Sequence, residues 1–432
     1  MKFNLKQLCT HEPPEDGEEI SFLNENLIFG NYREIEQELS VSSWKFSHDL
    51  TLAISTISDS SKLCKNKVIS TYSLQSAIGI LLLGSKGVTR EQILDNVFQS
   101  FADTGSNQRN IHLHNALMFL TERLDKGLMG KENQFNVANR LYIQKKYEII
   151  SQFQNDTSNC YAANATNVDF SKPSTRDEIN DWVKEKTNEK ITELLPDGSL
   201  GDDTRAVLVN ALHFLGSWEY TFSANLTKKA NFTLPNYCAE GNSSKNESSH
   251  VEVDMMSQYG NFTTCKPEGI DARVLQMKYS GNELSMVIIL PNKDNGLIDV
   301  EMKMHTFDYQ ACMKGKMIEE LRIYIPKFEI ESDFELRKPL TEMGIKEVFN
   351  EEADLSGISL ERPLFVDEIY HSAFIKVSEE GTEAGAATGI VVNTKSRPTY
   401  ETFRCDHPFY FMIVENEFGT VLFDGTVINP AL

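Results

Sequence analysis

Between Glu379 and Pro398 the chain reads EEGTEAGAATGIVVNTKSRP, and from Gly381 to Gly389 almost every side chain is small. Glycine and alanine weaken an ordinary strand, because they lose entropy and offer little to pack. Yet the alternation is that of a strand. Thr382, Ala384, Ala386 and Thr388 fall on one face, and Glu383, Gly385, Ala387 and Gly389 on the other. A segment this narrow can slide between two strands already in place. A bulky or charged inward residue could not, because an unpaired buried charge is costly. Taken alone, the stretch also reads as a flexible Gly/Ala linker.

Composition narrows the field. A chain of 432 residues, 40% hydrophobic, can bury a large core. A net charge of −21 argues against general nucleic-acid binding, which needs a basic surface. No apolar run reaches the length of a membrane span; the longest, near Ala77 to Leu83, suits a buried helix. The first residues, MKFNLKQLCTHEPPEDGEEI, contain no apolar signal core. Asn155, Asn164, Asn225, Asn231, Asn242, Asn246 and Asn261 each open an N-x-S/T sequon. Their clustering favours a secreted glycoprotein, with a cytoplasmic protein as the alternative. Seven cysteines leave at least one without an internal partner, and none forms a C-x-x-C pair. Cys238 and Cys265 flank a sequon-rich loop and are candidates to pair; Cys64 and Cys312 read as small buried hydrophobes.

Along the chain, residues 1–39 read as an acidic, flexible extension, and 40–432 as one domain. A helix is expected from Ser42 or Ser43 as cap, and another, holding Ala77 to Leu83, with Ser73 as cap. STRDEINDWVKEKTNEKITELLPDG predicts a helix capped by Ser174 that runs into a Pro-Asp-Gly turn. RAVLVNALHFLGSW is a continuous apolar run, expected as a central strand. ARVLQMKYSG and LSMVIILPN predict a hairpin, EELRIYIPKFEIESDFEL one long strand, and PLTEMGIKEVF a helix. The C-terminal stretch from Phe403 predicts two strands joined at Glu415-Asn416. Helices come first, then mixed elements, then strands. That order suits an α+β domain with more than one sheet. No G-x-S-x-G, H-E-x-x-H or phosphate-binding glycine loop is present, so neither a catalytic nor a metal set is indicated. His112 and His114 are two apart on a helix and do not share a face.

VISTYSLQSAIGILLLGSKG, VNALHFLGSW, FVDEIYHSAFIKVSEEGTEAG and HPFYFMIVENEFGTVLFDGTVINP follow, in order, the pattern of the serpins, which the chain resembles from about Ser40 onward. The resemblance implies the serpin fold: about nine helices, three β-sheets and an exposed reactive loop, here about 379–400. It implies a "shutter" of Ser70, Ser73, Asn210 and His371 beneath the central sheet, and a "breach" tryptophan, Trp218. Thr71 stands where the family usually has proline. The hinge carries over as Gly381, Thr382, Glu383, Ala384, Gly385, Ala386, Ala387 and Thr388. Gly385 replaces a usual alanine, a change that favours a flexible loop and slower insertion. Counting fourteen residues from Gly381 puts Lys395 before the scissile bond and Ser396 after it. Arg397, followed by Pro398, is the second choice.

In such an inhibitor a serine protease attacks the bait carbonyl and forms an acyl-enzyme, and the freed loop inserts and traps it. A lysine bait implies a trypsin-like target, with a carboxylate in its specificity pocket, and suits the proteases of clotting or immune cascades. No cofactor, nucleic acid or membrane partner is implied, and the inhibitor is expected to be a monomer. Arg123, Lys126 and Lys131 form only a weak basic patch for a glycosaminoglycan. A non-inhibitory serpin, a ligand carrier or protease substrate, is the competing reading.

Overall fold

The computed structural model describes residues 32–57, 64–101, 107–125, 133–238, 249–382 and 401–432. Nine α-helices lie among them: α1 (Tyr32–Ile57), α2 (Thr71–Gly84), α3 (Gly87–Val97), α4 (Asn107–Asp125), α5 (Ser151–Tyr161), α6 (Ser174–Lys186), α7 (Leu297–Lys303), α8 (Tyr309–Lys314) and α9 (Arg337–Glu342). In chain order the strands are β1 (Lys67–Ile69), β2 (Gln134–Gln144), β3 (Asn164–Val168), β4 (Ala206–Ser217), β5 (Lys228–Thr233), β6 (His250–Cys265), β7 (Ala272–Lys278) and β8 (Leu284–Pro291). Then follow β9 (Met317–Pro326), β10 (Phe328–Glu335), β11 (Glu368–Val377), β12 (Gly381–Thr382), β13 (Glu401–Arg404), β14 (Phe409–Glu415) and β15 (Val421–Val427).

Six strands form one sheet in the order β10-β11-β12-β4-β2-β3, and nine form the other, β1-β15-β14-β8-β7-β6-β9-β13 with β5 on β6. The third sheet expected from the sequence is not separate among the described residues. The sixteen-residue strand β6 pairs with β5 over its first part and with β9 and β7 over the rest, joining the ends into one network. β4 is buried along nearly its whole length because the six-stranded sheet is covered on both faces. Leu208, Leu212 and Phe214 join the main core, which α2 enters; Val207, Val209 and Ala211 pack with Ile179 and Val183 of α6.

Several local expectations are corrected. The first helix begins at Tyr32, not at Ser42, and takes in Leu39, which is fully buried. Ser42 and Ser43 are mid-helix, and their hydroxyls bond neighbouring backbone: Ser43 Oγ donates to Val421 O and Ser42 Oγ accepts from Ser100 N. The cap of α2 is Ser70, whose Oγ accepts from Ser73 N, so Ser73 is inside the helix. Ser174 is the first helical residue of α6 and makes no cap bond. That helix stops at Lys186, where Thr187 Oγ1 takes up the loose ends by donating to Val183 O and accepting from Ile191 N. The long strand expected from Glu319 onward divides at Pro326 and Lys327, with β9 in one sheet and β10 in the other. A proline has no N–H for a ladder, which suits this crossing point. The helix expected from Pro339 ends at Glu342; Gly344, at φ +110°, then turns the chain into a 3₁₀ turn, Glu347–Phe349. β13 is a separate strand before the C-terminal hairpin, paired parallel to β9.

The cysteines also pair otherwise than expected. Cys238 bonds Cys64 and Cys265 bonds Cys312, with Cα separations of 5.5 and 5.8 Å. Cys64 and Cys312 are therefore not simple buried hydrophobes. Cys405 is a buried free thiol, its pKa raised by burial.

Candidate functional site

The segment leaving β11 returns immediately to the sheet. Gly381 pairs with Ser217 and Thr382 with Gly216 on β4, while Thr382 also pairs with Val377 on β11, both antiparallel. β12 is thus a two-residue wedge between two strands that, below it, bond each other directly in parallel from Glu368↔Val207 to Phe374↔His213. Gly381 is required at this point. Its φ is +153°, and a Cβ there would overlap Gly216 O. Thr382 is fully buried, and its hydroxyl meets the Tyr279 hydroxyl at 2.8 Å.

Trp218 stands beside the wedge. It is 3% exposed and stacks on Tyr279 with centroids 4.7 Å apart. Its Nε1 donates to Ser378 O at 3.0 Å, and its backbone N–H donates to Glu380 O at 2.9 Å. Glu379 accepts from Lys327 Nζ (2.9 Å) and Thr227 Oγ1 (2.8 Å). Burial pushes its carboxyl upward, but these two partners outweigh burial and hold it below the ordinary range. Tyr279, Thr227 and Lys327 were not singled out from the sequence. Each lies far from the hinge along the chain and meets it only through sheet geometry.

Deeper along the β4–β11 seam, the structure brings Ser70, Ser73, Asn210 and His371 together, all fully buried. His371 lies opposite Asn210 in register. The partners fix the imidazole tautomer. Nε2 accepts from the Ser70 backbone N–H at 3.1 Å, so Nδ1 carries the proton and donates to Asn210 Oδ1 at 2.5 Å. Asn210 Nδ2 faces Ser73 O (3.1 Å), Ser73 Oγ (2.5 Å) and Asn139 Oδ1. Ser70 Oγ donates to Leu422 O at 3.0 Å, which ties the cluster to β15. Burial lowers the His371 pKa to about 3. Thr71, where proline was expected, donates through Oγ1 to the buried Asp424 at 3.2 Å. Sequence reasoning missed Asn139. Its signal was a polar residue on a partly apolar strand, at the register position facing Asn210.

The other candidates divide. Glu383, Ala384, Gly385, Ala386, Ala387, Thr388, Lys395, Ser396 and Arg397 lie outside the described residues, as do Asn242 and Asn246. Asn155, Asn164, Asn225, Asn231 and Asn261 are all exposed. Arg123 points inward, 11% exposed, with Nη2 3.2 Å from Glu36 Oε2, so it is not part of a surface basic patch. Lys126 and Lys131 lie outside the described residues. His114 is buried against the Tyr161 hydroxyl, as a structural histidine.

Comparison with known proteins places this geometry. The family model described as "Serpin (serine protease inhibitor)" matches residues 45–430. Serpin B4 of Homo sapiens is 34% identical over 381 residues, covering 84% of this chain and 94% of that protein. Leukocyte elastase inhibitor of Sus scrofa is 34% identical over 404 residues, covering 91% of this chain and 100% of that protein. A solved structure of human thyroxine-binding globulin superposes with a TM-score of 0.77 at 25% identity, covering 92% of this chain and 99% of that one.

Proposed function

The chain belongs to the serpin family, and on that premise we propose that it inhibits a trypsin-like serine protease by trapping it as an acyl-enzyme. The observation that carries this reading is the wedge at β12, where the first two hinge residues already sit between the strands that insertion must part. The protease would attack the Lys395 carbonyl, release the chain from Ser396 onward, and remain esterified to Lys395. Residues from Glu383 onward would then continue the wedge as a full strand.

The two registers agree on where that strand would go. Six residues beyond the Thr382↔Gly216 pair, Thr388 would reach Asn210; six beyond Thr382↔Val377, it would reach His371. Thr388 would therefore enter between the two groups whose bond holds the seam shut. Ala384 and Ala386 would fall on the same face, toward the main core. Gly385 and Ala387 would fall beneath α6, where Ile179 and Val183 leave little depth. On this reading Gly385 suits a tight passage, so its flexibility need not lead to slow insertion.

The test is incubation with trypsin at a one-to-one ratio, read on a denaturing gel with mass spectrometry of the released peptide. A band of summed mass together with a peptide beginning at Ser396 is the expected result. Cleavage with no such band sinks the trapping mechanism. It would favour a non-inhibitory carrier or substrate, which the likeness to thyroxine-binding globulin keeps as the second reading. The small, uncharged inward hinge face speaks against that alternative. Release of a peptide beginning at Pro398 would move the bait to Arg397.

Among the described residues, the Cys64–Cys238 and Cys265–Cys312 bonds and five exposed sequons support secretion, since disulfides persist in oxidising compartments. Asn155, Asn164, Asn225, Asn231 and Asn261 would carry the glycans. A protease of a clotting or immune cascade is the corresponding target, and a monomer in complex with it the corresponding assembly.

A further inference from the structure

Cys160, near the end of α5, is disulfide-bonded and 1% exposed. Four of the seven cysteines are taken up by the Cys64–Cys238 and Cys265–Cys312 bonds, and Cys405 is free. Within the sequence, only Cys9 is left as its partner.

α4 supplies an independent observation. Residues 113–120 are all buried, a run of more than two turns, so every face of the helix is covered there. An outer helix ordinarily leaves one face to water. The described neighbours account for the other faces. Leu113, Leu117, Leu120 and Leu124 belong to the main core. On the α1 side, Phe119 meets Tyr32 edge-on, with centroids 5.5 Å apart, and Arg123 meets Glu36. On the side of α5 and α2, His114 meets the Tyr161 hydroxyl at 2.5 Å and Thr121 the Tyr72 hydroxyl at 2.8 Å. What remains is the stripe Asn115, Met118 and Glu122, spaced by three and four residues and opposite the leucines. It is nonetheless covered. Asn115 is 9% and Met118 5% exposed, and neither Asn115 nor Glu122 is free of a partner.

The stripe lies between the α1 side and the α5 side of the helix. We propose that residues 10–31 form a strap across this outer face of α4, held at one end by entry into α1 at Tyr32 and at the other by a Cys9–Cys160 disulfide. The strap is long enough. Its 22 residues reach about 70 Å when extended, against a helix diameter of about 10–12 Å. Its composition also suits the task. Ile20, Phe22, Leu23, Leu27, Ile28 and Phe29 supply apolar side chains for Met118, while the carboxylates of residues 12–19 lie next to the anchor and stay in water. The short segments 102–106 and 126–132, which join the ends of α4, are the competing covers. While the disulfide holds, α4 has no face open to a partner.

Peptide mapping of the full chain without reduction tests the anchor. A peptide containing Cys9 linked to one containing Cys160 is expected. Recovery of either as a free thiol, or linked to another cysteine, overturns the strap. The cover is read by peroxide oxidation of methionine, followed by mass spectrometry, with Met302, 59% exposed, as the reference. In wild type Met118 should oxidise at least tenfold more slowly than Met302, and equal rates would overturn the cover. In full-length Cys9→Ser, oxidation of Met118 should rise at least fivefold, while Met256, fully buried in the core, stays protected and reports that the fold is kept. Unchanged protection of Met118 in that variant assigns the cover to residues 102–106 or 126–132 and overturns the strap. The two wild-type measurements decide the matter even if Cys9→Ser does not fold, and none of the three depends on the trapping function.

Discussion

Acidification should loosen the closed sheet through one residue, His371. Its pKa lies at about 3, against an ordinary 6.5, because burial disfavours the charged ring. Protonating Nε2 would also set an N–H against the Ser70 N–H that it now accepts, 3.1 Å away. The folded pKa is depressed, so the stabilising contribution is complete above the unfolded value of about 6.5 and is lost as pH falls toward 3. The gap of about 3.5 units corresponds to about 5 kcal/mol at the limit, of which about 2 kcal/mol is already lost at pH 5. Urea unfolding followed by tryptophan fluorescence at pH 7.5 and pH 5, in wild type and His371→Gln, measures it. Wild type should lose about 2 kcal/mol more than the variant between the two pH values. The difference is the diagnostic quantity, because the pKa of Glu36, raised to about 7 by burial, gives a dependence of opposite sign in both proteins. Equal losses in wild type and variant would refute the assignment of this dependence to His371.

Three further outcomes are expected. Thr382→Arg places a charge where Thr382 is fully buried against Tyr279, so trypsin should still cleave the loop while the covalent band falls by at least tenfold on the gel; an undiminished band would remove the wedge from the mechanism. Trp218→Phe removes the donor to Ser378 O and should cost about 1 kcal/mol in the first unfolding transition, while Trp182→Phe, with no bond to the hinge, serves as the control. The Cys64–Cys238 bond spans 174 residues, and the chain-entropy estimate for a loop of that size is about 5 kcal/mol. Cys64→Ser with Cys238→Ser should therefore lower the unfolding midpoint markedly, and an unchanged midpoint would show that the two thiols do not pair in solution.

What was legible in the sequence followed from patterns that are local or confined to one strand. The apolar run of β4, the alternation of β7 and β8 and the small residues of the hinge each declare themselves within about a dozen residues. The four seam residues were found only through their resemblance to a known family. Ser70, for example, reads locally as a helix cap, and it is one; its backbone bond to His371 comes from tertiary packing. Asn139 was missed because its partner is 71 residues away, and register alone brings the two together. The cysteine pairs failed for a similar reason. Cys238 and Cys265 are close in sequence, but Cys238 ends a 3₁₀ turn and Cys265 ends β6, and their partners approach from other elements. The first helix was cut short because Ser42 and Ser43 look like a start signal. Their hydroxyls serve inter-element bonds instead, as does Ser40 Oγ, which donates to Phe418 O.

The topology itself suggests where the driving force for insertion lies. Below the wedge, β11 and β4 are joined by a parallel ladder of seven register pairs, whereas β12 meets both of them antiparallel. Completing β12 would replace one parallel ladder by two antiparallel ones, and antiparallel pairing is slightly the more stable per residue. Against this gain stand the bonds at Asn210 and His371, which must be exchanged before the seam can open, and α6, whose Ile179 and Val183 cover it. These are barriers to the transition rather than differences between its end states. On the proposed trapping function, a chain so arranged would hold its uncleaved form by rate. Substitutions within the Asn210–His371 network should therefore change how fast the sheet opens more than how far insertion ultimately proceeds. Following insertion of a synthetic peptide of sequence Thr382–Thr388 into wild type and Asn210→Ala separates the two: a faster approach to the same final extent is expected, and an altered extent at an unchanged rate would place the network among the stored energy instead.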